Sequence, residues 1–129
     1  MDKFSFEDLN AYKYGRALVR SVYALLEKFP AYERYALTDQ LRRSVISIPS
    51  NIAEGMGRMS LKEQIHFIEI SYGSLMEVLC QIQLARDLNY ITDAEFSEKR
   101  EQIQTTAKIL SGLRVSLIKA LNTSTPQSC

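Results

Sequence analysis

The sequence predicts an all-α protein folded as an up-down-up-down antiparallel four-helix bundle, and three observations carry that prediction. Apolar residues recur at spacings of three and four along four separate segments, the period of a helix that buries one side. Short links bearing capping and turn residues separate the segments, which favours sequential antiparallel neighbours. No run alternates apolar and polar residues between hairpin turns, and no internal repeat is visible.

The first helix is read through Leu9, Tyr12, Leu18, Val19, Val22, Tyr23, Leu26 and Phe29, opened by Ser5 and Asp8 as a capping box and ended by Pro30. Thr38 is the expected N-cap of the second helix, with Asp39 in the first turn where the macrodipole favours an acid. Leu41, Val45, Ile48 and Ile52 form its apolar stripe. Pro49 removes a backbone donor in the middle, so a kinked but continuous helix is expected. Gly55 and Gly57 are read as positive-φ residues that close it. Ser60 to Glu63 is a capping box that opens the third helix, carried by Leu61, Ile65, Ile68, Tyr72, Leu75, Leu79 and Ile82. Thr92 to Glu95 is another, opening a fourth helix through Phe96, Ile103, Ala107, Leu110, Leu113, Leu117 and Leu121. Residues 1–122 are read as one bundle domain and 123–129 as a flexible tail, within a 129-residue chain that has no need of a second core.

Beside the apolar stripe of the second helix runs a polar one, Ser44, Ser47, Asn51, Glu54 and Arg58. Small hydroxyls and an amide in place of the usual Lys and Glu suggest groups that fit against a neighbour. Folding helices two and three back about Met59 and Ser60 sets Ser47 near Tyr72 and Gly73, Asn51 near Ile68 and Glu69, and Arg42 or Arg43 near Glu77. An ion pair from one of those arginines to Glu77 is expected, as is a hydrogen-bonded Asn51. Gly73 and Ser74 are read as a point of close backbone approach, since Gly in mid-helix costs about 1 kcal/mol against Ala.

Composition excludes several function classes. Hydrophobic residues at 46% and charged residues at 24% are ordinary for a globular domain, which argues against disorder or a fibrous fold. The N-terminus carries acids where a signal peptide needs an apolar run, and no stretch is long enough to span a membrane, so a cytoplasmic protein without membrane contact is expected. Cys80 and Cys129 have neither CxxC spacing nor disulfide-scaffold density and are read as free thiols. Glu63 and His66 have the Glu-x-x-His form of di-iron bundles, but His66 is the only histidine, so no metal or cofactor is expected. The same count removes Ser-His and Cys-His catalysis, and no glycine pattern matches a phosphate-binding loop. An enzyme would need a cleft lined by Glu54, Glu77 and His66; no enzymatic activity and no small-molecule substrate are expected.

The formal charge of +1 gives no global pull toward nucleic acid, so any basic surface must be local. Between Asp8 and Glu27 the chain carries Lys13, Arg16 and Arg20 with no acid, and after Glu101 it carries Lys108, Arg114 and Lys119 with none. In an antiparallel bundle these segments lie at one level, and the cations are expected to join into one stripe suited to phosphates.

Gln40-Leu41-Arg42-Arg43, Ser47-Ile48-Pro49-Ser50-Asn51-Ile52-Ala53-Glu54-Gly55 and Gly57-Arg58 together resemble the signature of the four-helix bundle proteins encoded in intervening sequences of bacterial large-subunit ribosomal RNA genes. The resemblance continues through Phe29-Pro30, Glu33, Gly73-Ser74-Leu75-Met76-Glu77 and Leu88-Asn89-Tyr90-Ile91, and so covers nearly the whole chain; Ser71 departs from the more usual Ala. It implies a homopentameric ring without enzymatic activity. It also implies kinship with the accessory proteins of diversity-generating retroelements, similar rings that bind a reverse transcriptase and nucleic acid through basic surface. The function expected is therefore an oligomeric scaffold contacting RNA or an RNA-bound partner, with a protein-interaction ring that binds no nucleic acid as the alternative.

Overall fold

In the computed structural model, which describes residues 2–124, four helices account for most of the chain: α1 (Asn10–Leu26), α2 (Leu37–Met56), α3 (Leu61–Asp87) and α4 (Asp93–Ser124). There is no strand among the described residues. The apolar spacing of each helix decides which side it buries, and the buried set is continuous from Leu18 and Val22 through Leu41, Val45, Ile48 and Ile52 to Ile68, Leu75, Val78 and Ile82, then Ile103 and Leu110. Each helix packs on its sequence neighbours and α1 also packs on α4, which closes a four-cornered bundle. The neighbours run antiparallel. Ser44 meets Glu77 while Ile48 meets Ser71, and Arg86 stacks on Phe96 while Arg114 meets Glu69. Lys28 pairs with Glu95, which ties the end of α1 to the start of α4.

Local chemistry sets the ends of the elements, in places differently from the sequence reading. Ser5–Asp8 is a separate 3-10 turn, in which the Phe4 amide donates to the Glu7 carboxylate at 2.9 Å, and α1 starts after Leu9. Thr38 is not an N-cap: α2 starts at Leu37, two residues earlier than a Thr38 cap implies, the Leu37 amide donates to Glu33 Oε1 at 3.2 Å, and Thr38 is buried in the first turn. Glu33 supplies the capping oxygen from the preceding turn. The helix is continuous through Pro49. Neither Gly55 nor Gly57 has a positive φ. The residue that does is Asn89, at φ 63°, in the turn after α3. There the Tyr90 amide donates to Ala85 O at 2.9 Å and the Asn89 amide to Arg86 O at 2.9 Å, a Schellman closure with Asn in the left-handed position.

Both capping signals of the later helices operate. The Glu63 amide donates to Ser60 Oγ at 3.4 Å. At α4 the box is reciprocal, with Glu95 N donating to Thr92 Oγ1 at 3.1 Å and Thr92 N to Glu95 Oε1 at 2.9 Å. The last helix continues through Ser124, two residues beyond the expected boundary of the bundle, with the Thr123 and Ser124 hydroxyls bonded back to carbonyls one turn earlier. The rest of the expected tail, Cys129 included, lies outside the described residues. No described helix is long and apolar enough to cross a membrane.

Candidate nucleic-acid interface

Gly15 lies on the side of α1 that meets α2, and a Cβ there would sit 3.4 Å from Ile48 Cγ2 and 3.5 Å from Pro49 Cβ. The Pro49 ring is compact, and the space between the helices would hold a methyl group at ordinary contact distance. Along its outer edge the two helices leave an open groove of about 590 Å³, floored by Val19, Ile46, Pro49 and Ala53. Lys13, Arg16 and Arg20, at helical spacings of three and four, stand along its α1 wall, with Tyr12 beside them and Ser50 on the α2 wall. No acidic side chain lines it. The Arg16 guanidinium lies 5.7 Å from the centre of the Tyr12 ring, a cation–π distance that orders both side chains.

The expected single stripe of six cations does not form. Lys13, Arg16 and Arg20 turn toward α2, whereas Arg114 bonds Glu69 of α3 at 2.7 Å on the opposite side of the bundle. Lys108 and Lys119 are exposed on the outer face of α4, about 160–180° around the helix from the buried Leu110 at 3.6 residues per turn. The segments share a level, as antiparallel packing requires, but their side chains leave the helices in three directions.

The polar flank of α2 is the seam with α3. Ser47 Oγ lies 2.8 Å from Ser74 Oγ, and Asn51 Nδ2 donates to Ser47 O and Oγ, each at 2.8 Å, so Asn51 is satisfied within its own helix and braces the inter-helix pair. Ser44 Oγ is within 3.2 Å of Glu77 Oε2, and the buried Ser71 hydroxyl donates to Ile48 O at 2.9 Å. The Ile48 carbonyl thereby gains a donor from the next helix, beside the residue whose own N–H is missing. The Arg42 or Arg43 pair with Glu77 is not formed: Arg43 bonds Asp39 one turn back at 3.0 Å, and Arg42 lines a groove with Glu27 and Thr38 at the far end of α1 and α2. Glu54 and Arg58 pair at 2.9 Å, and Arg58 lies 4.8 Å over the Phe67 ring.

The close approach expected at Gly73 falls instead at Gly55. A Cβ on Gly55 would stand 2.7 Å from Phe67 Cβ, so α2 and α3 touch at Gly55. Gly73, expected at a close approach, is exposed and would meet nothing within 4 Å; Ser74, one residue on, is the seam residue. Cys80, read as part of an apolar helical pattern, is an exposed free thiol. Neither Glu54, Glu77 nor His66 lines any of the main grooves. Among the described residues no three His, Cys, Asp or Glu side chains are grouped to hold a metal ion.

Residues 7–112 match the family described as 23S rRNA-intervening sequence protein. The chain belongs to that family. The fold is also that of a Bacteroides thetaiotaomicron protein of unknown function from the S23 ribosomal protein family. That relation has a TM-score of 0.74 at 18% identity and covers 81% of this chain and 94% of the other. No curated protein matches the sequence. The resemblance seen in the signature residues is thus a family membership; of those residues Ser47, Asn51, Gly55, Ser74 and Glu77 lie at the α2–α3 contact, whereas Arg42, Arg43 and Gly73 do not and Pro49, Ser50 and Ala53 face the α1–α2 groove. The groove residues Tyr12, Gly15, Val19 and Ile46 carried no separate signal in the sequence beyond a glycine in mid-helix, because only the crossing of α1 over α2 brings them together.

Proposed function

We propose that this protein is a non-enzymatic, cytoplasmic, oligomeric scaffold of the 23S rRNA-intervening sequence family, pentameric as its signature implies, that binds RNA through the α1–α2 groove. The observation that carries the reading is the placement of Lys13, Arg16 and Arg20 along one groove free of acids, beside an aromatic ring. Cations so spaced suit successive phosphates, and an aromatic face beside them suits a splayed base, the combination used on single-stranded RNA. In an oligomer the groove would be repeated once per copy, and avidity would raise an individually weak contact. An RNA-bound protein such as a reverse transcriptase fits the same reading as the carrier of that RNA.

The test is binding of a single-stranded RNA across a salt series. Reversing Lys13, Arg16 and Arg20 to Glu should abolish measurable binding at moderate salt; neutralising them to Gln should lower the log–log salt slope by about 2 to 3, at ~0.7–0.9 per phosphate contact. Reversing Lys108 and Lys119, on the outer face of α4, should leave the slope nearly unchanged. Equal affinity and slope in wild type and the groove variants would refute RNA binding here.

The apolar floor of the groove, Val19, Ile46, Pro49 and Ala53, supports the second reading, a ring that binds a partner protein and no nucleic acid. A partner retained after nuclease and high salt, together with no RNA affinity, would decide for it.

A further inference from the structure

The aromatic ring beside the basic groove belongs to a longer array. Tyr12 is partly buried against the core, with the Arg16 guanidinium over its ring and the Phe6 ring meeting it nearly at right angles, 4.9 Å between centres. Phe4 follows, 6.4 Å from Phe6 and within 19° of parallel to it. The rings therefore continue from the Lys13 end of the groove, past the start of α1, onto the turn at Ser5–Asp8. Tyr12 and Phe6 are engaged by their neighbours, whereas Phe4 is 70% exposed. Hydrogen bonds fix the backbone that carries it. The Phe4 amide donates to Glu7 Oε1 at 2.9 Å, the Glu7 amide to Phe4 O at 3.0 Å, and the Leu9 amide to Phe6 O at 3.1 Å. A flat apolar face on an ordered backbone has little conformational freedom left to lose when a partner stacks on it.

Charge changes sign along this array. Lys13, Arg16 and Arg20 line the groove without an acid, but Asp2, Glu7 and Asp8 flank Phe4 in the chain. Glu7 is engaged by the Phe4 amide, and Asp8 pairs with Lys3 at 3.3 Å, so no cation there is left free for a phosphate. The groove suits the backbone of a polyanion, and the exposed ring beyond it suits an uncharged, flat group on the same molecule. We propose that Phe4 is the stacking platform for an unpaired base of the RNA whose phosphates lie along Lys13, Arg16 and Arg20, and that it makes the site selective for single strands.

The inference rests on the RNA reading of the α1–α2 groove and names the residue that tells one strand from two. Cations by themselves accept phosphates of either form. Base faces inside a duplex are covered by their neighbours, so a protruding ring engages only a base that has left its stack. Every base has such a face, and the platform therefore selects strandedness and not sequence.

The experiment compares a short single-stranded RNA with the same strand annealed to its complement, each across a salt series. Phe4→Ala should lower single-strand affinity by about tenfold at an unchanged salt slope and leave duplex affinity as it was. Because the ring stands mostly in solvent, thermal unfolding of that variant should match wild type. Phe4→Trp should keep the affinity, and since the chain has no tryptophan of its own, the fluorescence of that variant should be quenched by the single strand and not by the duplex. Wild-type single-strand affinity in Phe4→Ala with no quenching in Phe4→Trp, while the Lys13, Arg16 and Arg20 variants still lose binding, would overturn the platform and leave the groove reading standing. Equal loss for single strand and duplex would also overturn it. Loss of a bound partner protein in Phe4→Ala, with RNA affinity intact, would assign the ring to a protein contact and overturn it likewise. A wild type without RNA affinity would overturn the platform and the groove reading together.

Discussion

Glycines that look alike in the sequence stand in different surroundings. Gly55 is held by Phe67, whose Cβ would lie 2.7 Å from an added methyl group, so Gly55→Ala should lower stability by about 1–3 kcal/mol through overpacking. Gly15 meets Ile48 and Pro49 only at ordinary contact distances, and Gly15→Ala should be neutral or stabilising by up to about 1 kcal/mol. Thermal or urea unfolding of the two variants checks both signs. Tyr90 gives a second residue-scale prediction. Its hydroxyl lies 2.9 Å from Tyr32 Oη and donates to Glu33 Oε2 at 2.7 Å, and these bonds, Tyr32 first and then the Glu33 carboxylate, hold the phenol well above the ordinary tyrosine range. A raised folded-state value means that the contribution of the protonated phenol is fully present below the unfolded value near pH ~10 and is lost at higher pH. An absorbance titration should show one tyrosine ionising last, and Tyr90→Phe should remove that last transition.

At the scale of the element, periodicity made the helices readable, because burial on one side of a helix imposes its own spacing. Their ends were readable only where the capping groups lie within one turn in sequence. Thr92 and Glu95 satisfy each other, and Thr92→Ala should cost about 0.5–2 kcal/mol in thermal unfolding. Thr38 looked equally suited, but Glu33 reaches across the preceding turn to the Leu37 amide and α2 starts two residues sooner. The α2–α3 seam lies between these cases. Its residues were legible as a polar flank with a partner, and the register was nearly right, yet Glu77 bonds Ser44 and not an arginine. A double-mutant cycle with Ser47→Ala and Ser74→Ala should return a coupling of about 0.5–1.5 kcal/mol, whereas a cycle between Arg43 and Glu77 should return almost none.

At the scale of the molecule, the chain presents a basic groove at α1–α2 and, on α3, an exposed face that bears Ile70, Met76 and Leu84. In the proposed function the groove cations serve RNA affinity alone, so the Lys13, Arg16 and Arg20 variants should keep the wild-type mass in sedimentation. What the sequence by itself determined is the set of helices, their antiparallel order and the family, since each of these is written in residues close together in the chain. Which cations lie together was decided only by the tertiary structure. The direction of a side chain depends on the rotation of its helix about its own axis, and that rotation is set by packing contacts between residues far apart in sequence. Lys13, Arg16 and Arg20 share a groove because the packing of α1 on α2 sets them beside Pro49 and Ala53, while Lys108, Arg114 and Lys119 are dispersed because α4 turns Ile103, Thr106 and Leu110 inward.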